Sequence, residues 1–250
     1  MMTLDVAFLP SELAAKAIEG SLAVLVDVVR ASTTITVALA HGCSFVRPVL
    51  HVEDAFQYAQ DAHDSVPLLL GGERGGRRVK GFDLGNSPRE YTREVVQHKG
   101  IIFSTTNGTR TLLALNGAAQ IVIGAFVNMA AVCQYLADRC ASRQTSDTQS
   151  DTVLIACSGV VNTFALEDTV CAGMIVHRLS TACPDMIKTT AATSAEILYR
   201  HYQADLLGML HISDGGQRMR HIGLEADLPV CAGIDTYPVV PKFCEGKVML

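Results

Sequence analysis

Apolar residues along the chain gather into short continuous runs, and each run is followed by a stretch of helical periodicity. LAVLVDVV (22–29) is rich in β-branched residues without a polar alternation, as a strand buried on both faces requires. In ASTTITVALAHG, which follows, Ser32 or Thr33 is placed to cap a helix that Gly42 ends. SFVRPVL (44–50) predicts a strand and VEDAFQYAQDAH a helix. VPLLL, GIIFSTT, QIVIGAF and TVLIACSG continue the series, with helices expected from Ser87, through Thr111–Leu115, over NMAAVCQYLADRC and over FALEDTVCAGMIVHRL. TSAEILYRHYQADLLGML reads as one further helix, Ser213–Gly223 as a short one, and TYPVVPKFCEGKVML as an extended tail with a hairpin turning at Glu245-Gly246. Strands alternating with helices predict an α/β fold of three layers, α/β/α, around a largely parallel or mixed sheet. Residues 1–250 are expected to form one domain, with the polar stretch 141–151 as a loop or a boundary between two similar halves.

One connection departs from this pattern. GGERGGRRVKGFDLGNSPREYT (71–92) holds six glycines, five basic and three acidic residues. SPRE predicts a capping box, with Ser87 as N-cap, Pro88 in the first turn and Glu90 reaching back. Gly71–Asn86 then reads as a long flexible connection of the kind that serves function.

Composition narrows the function classes. At 250 residues and 49% hydrophobic content the chain can bury a substantial core, and a net charge of −5 argues against a nucleic-acid binder. No apolar run reaches the roughly 20 residues of a membrane helix. The eight cysteines form no C-x-x-C pair and sit mostly in apolar stretches, and no signal peptide is evident, so reduced thiols and a cytoplasmic location are expected. Cys133 and Arg139 match the C-x5-R spacing of cysteine phosphatases, but QYLAD between them is helical and lacks the glycines of a phosphate loop. Whether copies of the chain associate is left open.

Ligands of open parallel sheets bind beyond the carboxyl ends of the strands. Four polar clusters fall there: Asp27, Arg30 and the hydroxyls of 32–34; Glu73 and Arg74; Thr105–Arg110 (TTNGTR); and Ser158-Gly159 with Asn162, followed by Glu167 and Asp168. Asp27 interrupts an apolar strand, where a buried charge needs a partner. That partner is either Arg30, as a structural ion pair, or a hard cation such as Mg²⁺, for which Asp27, Glu73, Glu167 and Asp168 are the candidate ligands. Glu167 and Asp168 have a plainer alternative as favourable charges in the first turn of a helix. TTNGTR is either a turn with an N-cap or a phosphate cradle of hydroxyls and free amides. Arg30, Arg74 and Arg110 supply forked donors for oxyanions.

The P-loop, G-x-S-x-G, H-E-x-x-H and G-x-G-x-x-G motifs are absent, as is the paired aspartate of haloacid-dehalogenase-like phosphatases, and the eight histidines show no metal-ligand spacing. VDVVRASTTI (26–35), the 71–92 segment, STTNGTRTL (104–112) and FALEDTVCAG (164–173), with their order and the tail, resemble the 2-phosphosulfolactate phosphatase family from residue 4 to about 250. The resemblance implies a Mg²⁺-dependent hydrolysis of 2-phospho-3-sulfolactate to 3-sulfolactate and phosphate, a step in coenzyme M biosynthesis. It also implies an α/β fold distinct from haloacid-dehalogenase-like and P-loop folds. It carries over to Asp27, Arg30, Glu73, Arg74, Asp83, Asn86, Thr106, Asn107, Gly108, Thr109, Arg110 and Asp168; at Ser32 the family more often has Thr, which also supplies a hydroxyl. The expectation is a small phosphorylated substrate held under 71–86, with Glu73, Arg74 and Lys80 meeting its charges, and no nucleic-acid or membrane partner.

Overall fold

The computed structural model describes residues 2–61, 64–143, 151–160 and 163–250. Its strands are β1 (Thr3–Ala7), β2 (Leu22–Val26), β3 (Phe45–Pro48), β4 (Leu68–Arg74), β5 (Arg77–Arg78), β6 (Gly100–Ser104), β7 (Gln120–Gly124), β8 (Thr152–Cys157), β9 (Ile187–Lys188), β10 (Lys242–Cys244) and β11 (Lys247–Met249). Its helices are α1 (Ala31–Ala40), α2 (Val52–Asp61), α3 (Arg93–Val96), α4 (Gly108–Ala114), α5 (Met129–Arg143), α6 (Leu166–Ala182), α7 (Thr190–Tyr202), α8 (Leu206–Ile212), α9 (Asp214–His221) and α10 (Leu228–Ala232).

The strands form one mixed sheet in the order β5-β4-β6-β3-β11-β10-β7-β2-β8-β1-β9. Two parallel blocks, β4-β6-β3 and β7-β2-β8-β1-β9, are joined by the β10–β11 hairpin, which pairs antiparallel with β7 on one side and β3 on the other. The hairpin turns at Glu245 and Gly246, both at positive φ, as the tail sequence predicts.

Side-chain alternation builds the three layers. Leu22, Val24 and Val26 of β2, with Val153, Ile155 and Cys157 of β8, face a core closed by α5, α6, α7 and α8. Ala23 and Leu25, with Leu154 and Ala156, face the opposite core under α1, α3 and α4. All five residues of β2 are buried, which explains the unbroken apolar run. In a flat sheet β6 and β2, five strand spacings apart, would lie about 24 Å from each other. Yet α4, which follows β6, packs on β2, so the sheet curls around α1 and α4 and brings the two blocks' carboxyl ends together.

Several local expectations are corrected. The SPRE segment is a single 3-10 turn, Pro88–Glu90, without a side-chain cap. Ser87 Oγ instead donates to Asp227 Oδ1 (2.6 Å), and Glu90 accepts from the Gly85 amide (2.7 Å). Ser32 and Thr33 lie inside α1 rather than capping it. Gly71–Asn86 is not one flexible connection: β4 runs on through Arg74, and the two-residue turn Gly75-Gly76, both at positive φ, folds β5 back on it. The apolar run VPLLL ends too early as a strand because the glycines after it, which read as loop, pair with Phe103 and Ser104. The helix expected over 193–210 is two, α7 and α8, broken where Asp205 caps α8 through the Gly208 amide (2.8 Å). Strands β1 and β9 have no counterpart in the sequence reading. The segment 141–151 lies mostly outside the described residues, and no helix among those described is long and apolar enough to cross a membrane.

None of the eight cysteines forms a disulfide; six are buried, Cys183 is half-buried and Cys244 is exposed. Burial pushes the Cys133 thiol up to about 12, and Arg139 stacks on Tyr135 of the same helix, so the C-x5-R spacing forms no phosphate loop.

At the rear of the α6–α7 layer, buried Glu196 accepts from Lys188 Nζ (2.6 Å), Arg200 Nη2 (2.8 Å) and His177 Nδ1 (3.0 Å). Burial pushes its carboxyl up, but these three partners outweigh burial and hold it down at about 2. A folded-state value below the ordinary 4.5 stabilises the fold above that pH, and the contribution is lost as pH falls toward 2. Acid titration of the unfolding free energy should therefore show an extra loss of about 1–2 kcal/mol in the native chain over this window, absent from Glu196→Gln.

Candidate active site

The turn after β2 is built by reciprocal bonds. The Asp27 amide donates to Ser32 Oγ (2.9 Å) and Asp27 Oδ1 accepts from the Ala31 amide (3.2 Å), so Asp27, just past the end of β2, satisfies the first amide of α1. A β-carbon at Gly108 would lie 3.0 Å from Asp27 Oδ2, which places that oxygen against the start of α4. Thr34 Oγ1 donates to the Asn86 carbonyl (3.0 Å) and fixes the far end of the glycine-rich segment on α1.

The β4–β5 hairpin reaches the same place from the other block. Glu73 Oε1 accepts from both the amide and the hydroxyl of Thr106 (2.8 Å each), and Oε2 accepts from the Gly76 amide (2.5 Å). Arg30 is 3% exposed and makes no pair with Asp27. Its Nη1 bonds Asp227 Oδ2 and its Nη2 the Gly76 carbonyl, both at 2.7 Å. The structural ion pair expected for Asp27 is thus replaced by one with Asp227, a residue 197 positions away that no local pattern marks.

Helix α6 supplies the third wall. Asp168 accepts from the Val28 amide (2.8 Å) through Oδ1 and the Gly159 amide (3.1 Å) through Oδ2, bracketing the ends of β2 and β8. Glu167 points at the start of α9, with Oε1 against Gly215, while its Oε2 is buried without a partner. Position 215 must be glycine for this approach, since a β-carbon there would stand 1.9 Å from Glu167 Oε1.

These acids charge one another's surroundings. Burial, then the Glu73 and Glu167 carboxyls, push Asp27 up to about 7 against the pull of the Ala31 amide and Arg30. Burial and the Asp27 and Glu167 carboxyls push Asp168 well above the carboxylate range, and burial raises Glu167 as well. A buried cluster of this sign favours a cation. Among the described residues no group of three or more Asp, Glu, His or Cys side chains is arranged to hold a metal ion. The four-acid ligand set of the sequence reading is therefore not a closed cage: Asp168 and Glu73 spend their oxygens on backbone amides and Thr106. Asp27 Oδ2 and the orphaned Glu167 Oε2 remain, a donor set suited to Mg²⁺, which binds through one or two carboxylates and keeps several waters.

Asp27, Arg30, Glu73, Asn86, Thr105, Thr106 and Asn107 line one cavity with Val29, Gly76, Val160, Gly215, Arg218 and Met219. Its volume of about 40 Å³ suits a small anionic group and a few waters rather than a nucleotide. Gly108 and Thr109 lie buried just behind it, at the start of α4. Arg74 turns away, donating to the Glu73 and Leu50 carbonyls and Ser104 Oγ, and Asp83 accepts from the Leu70 amide. Arg110 and Lys80 are exposed and do not line the cavity. Asn162 lies outside the described residues.

The sequence reading missed Asp227, Gly215, Arg218 and Met219, all from the segment 213–227. Its only signals were the Gly215-Gly216 pair after Ser213 and the basic run that follows. Removing one member of a buried ion pair strands the other charge. Asp227→Asn should lower unfolding free energy by about 3–5 kcal/mol in urea denaturation, whereas Glu225→Gln, on the exposed side of the same turn, should change it by less than about 1 kcal/mol.

The sequence has relatives among known proteins. The 2-phosphosulpholactate phosphatase family matches residues 7–246. A Symbiobacterium thermophilum protein named "Probable 2-phosphosulfolactate phosphatase" is 39% identical over 236 residues, covering 94% of this chain and 97% of its own. Proteins of the same name from Synechococcus sp. (strain JA-2-3B'a(2-13)) and Clostridium acetobutylicum are 42% identical over 232 residues (91% and 90% of the two chains) and 32% over 252 (99% and 100%). On a match spanning nearly every element described above, the chain belongs to the 2-phosphosulpholactate phosphatase family.

Proposed function

We propose that the chain hydrolyses 2-phospho-3-sulfolactate to 3-sulfolactate and inorganic phosphate with Mg²⁺ as cofactor. The observation that carries this reading is Asp27, which lines a small cavity with Arg30 and Thr105–Asn107, close enough to Glu167, with its unpartnered buried Oε2, for that carboxyl to raise it. Asp27 and Glu167 would hold the cation, which when bound would neutralise charge on a phosphoryl oxygen.

The chain's own groups do the rest. Thr105 and Asn107, with the amides of Gly108 and Thr109 at the start of α4, donate to the phosphoryl oxygens, and the Arg30 N–H groups not used by Asp227 and Gly76 add charge-assisted donors. Glu73 fixes Thr106 and Asp168 fixes the backbone of Val28 and Gly159, so these donors stand in place before the substrate arrives. The attacking group is either a water ordered by Asp27 or the Asp27 carboxylate itself. Label from phosphate-labelled substrate trapped on Asp27 would establish the second route.

Phosphate release from 2-phospho-3-sulfolactate, beside 2-phospholactate and an aryl phosphate, tests the reading. Turnover should require Mg²⁺, stop in EDTA, prefer the sulfonate and fall by about 100-fold or more in Asp27→Asn. Full activity in EDTA would remove the metal from the reading, and equal turnover of 2-phospholactate would move the substrate to another phosphorylated hydroxy acid. Gly215→Ala should push the Glu167 carboxylate aside and raise the Mg²⁺ concentration for half-maximal activity about 10–100-fold, with the circular dichroism of the fold unchanged.

A further inference from the structure

The proposed substrate carries three acids on three carbons: a phosphate ester, a carboxylate and a sulfonate. The site as described accounts for the first. Two cationic side chains line the cavity, Arg30 and Arg218, and their states differ. Arg30 is buried with its charge matched by Asp227, one of its terminal nitrogens on that carboxylate and the other on the Gly76 carbonyl. Arg218, on the inner face of α9, is half-buried and makes neither a hydrogen bond nor an ion pair with any described residue.

This freedom is not shared by its neighbours. On the same helix Arg220 pairs outward with Glu225, and across the turn His211 faces that same carboxylate. Arg218 lies against the hairpin tip, where a β-carbon at Gly76 would come within 3.8 Å of its Nε, and Met219 and Ile222 pack against the same tip. A guanidinium held in a cavity wall without a counter-ion is a vacancy for an anion.

We infer that Arg218 is the specificity-determining residue of the site and binds the sulfonate of the substrate; the inference rests on the phosphatase reading and deepens it. The division of the three acids follows from their basicity. Phosphate and carboxylate are the more basic acceptors and suit the inner donors around Asp27, Glu167 and Thr105–Asn107. A sulfonate spreads its charge over three weakly basic oxygens and stays ionised at every working pH, so its fitting partner is a permanently charged, weakly hydrated fork. A site that pairs such a group rejects analogues lacking it, because the cation is then left unmatched.

The test compares the native chain, Arg218→Met and Arg218→Lys on 2-phospho-3-sulfolactate and 2-phospholactate, with calorimetric binding of 3-sulfolactate and inorganic phosphate alongside. Arg218→Met should lose about 10–100-fold in kcat/KM on the sulfonate substrate and less than about threefold on 2-phospholactate, with Lys between. Affinity for 3-sulfolactate should fall by about tenfold or more while that for inorganic phosphate holds. Equal losses on both substrates, or none on either, would overturn the assignment while leaving the phosphatase reading intact. Arg218-dependent binding of 3-sulfolactate by a chain that hydrolyses neither substrate would sustain the sulfonate site and sink the phosphatase reading instead. Matching thermal melts of the three proteins exclude misfolding as the cause of any loss.

Discussion

The buried ion pair between Arg30 and Asp227 is the constraint around which the site is assembled. Asp227 also takes the Ser87 hydroxyl, and Arg30 also takes the Gly76 carbonyl. Two side chains thereby fix four segments: the turn after β2, the tip of the β4–β5 hairpin, the start of the 3-10 turn at Pro88 and the turn before α10. Taking such a pair out of water is expensive, and as a source of stability it is weak. Its value lies in specificity of arrangement: it sets where the hairpin tip sits, and the hairpin tip, through Glu73, sets where Thr106 sits.

The acids follow the same economy of position. Four carboxylates converge, yet Glu73 and Asp168 are occupied with amide and hydroxyl donors, so they act as rigid brackets between strand ends. Asp27 combines both functions: one oxygen takes the first amide of α1, the other lies against Gly108, and the residue lines the cavity. The helix that begins at Ala31 therefore cannot shift without moving a carboxylate that lines the cavity.

Much of this was legible in the chain because it is local. The unbroken run 22–26, the polar residues at the ends of β2, β4, β6 and β8, and the turn at Glu245-Gly246 each follow from spacing of two or from a short motif. What was illegible depends on distance. SPRE has the letters of a capping box, but tertiary partners, Asp227 for Ser87 and the Gly85 amide for Glu90, took both side chains. Arg74 and Arg110 look like Arg30 in sequence, and only the direction of the backbone separates the one that lines the cavity from the two that do not. Arg218 sits in an amphipathic helix whose charged face reads as solvated surface until the curl of the sheet lays it beside Gly76.

That curl depends on the hairpin β10–β11. It wedges two parallel blocks apart and satisfies the edges of both, pairing with β7 across some 120 positions and with β3 across some 200, as Lys242 to Val122 and Val248 to Val46 mark. Contacts of such span carry a large loop-closure cost and form late. During synthesis β3 and β7 therefore emerge, and pair within their own blocks, long before the strands that cover their outer edges exist. For that interval each block presents an open edge of the kind that templates aggregation. The cavity, lined from both blocks, is complete only once the hairpin has joined them.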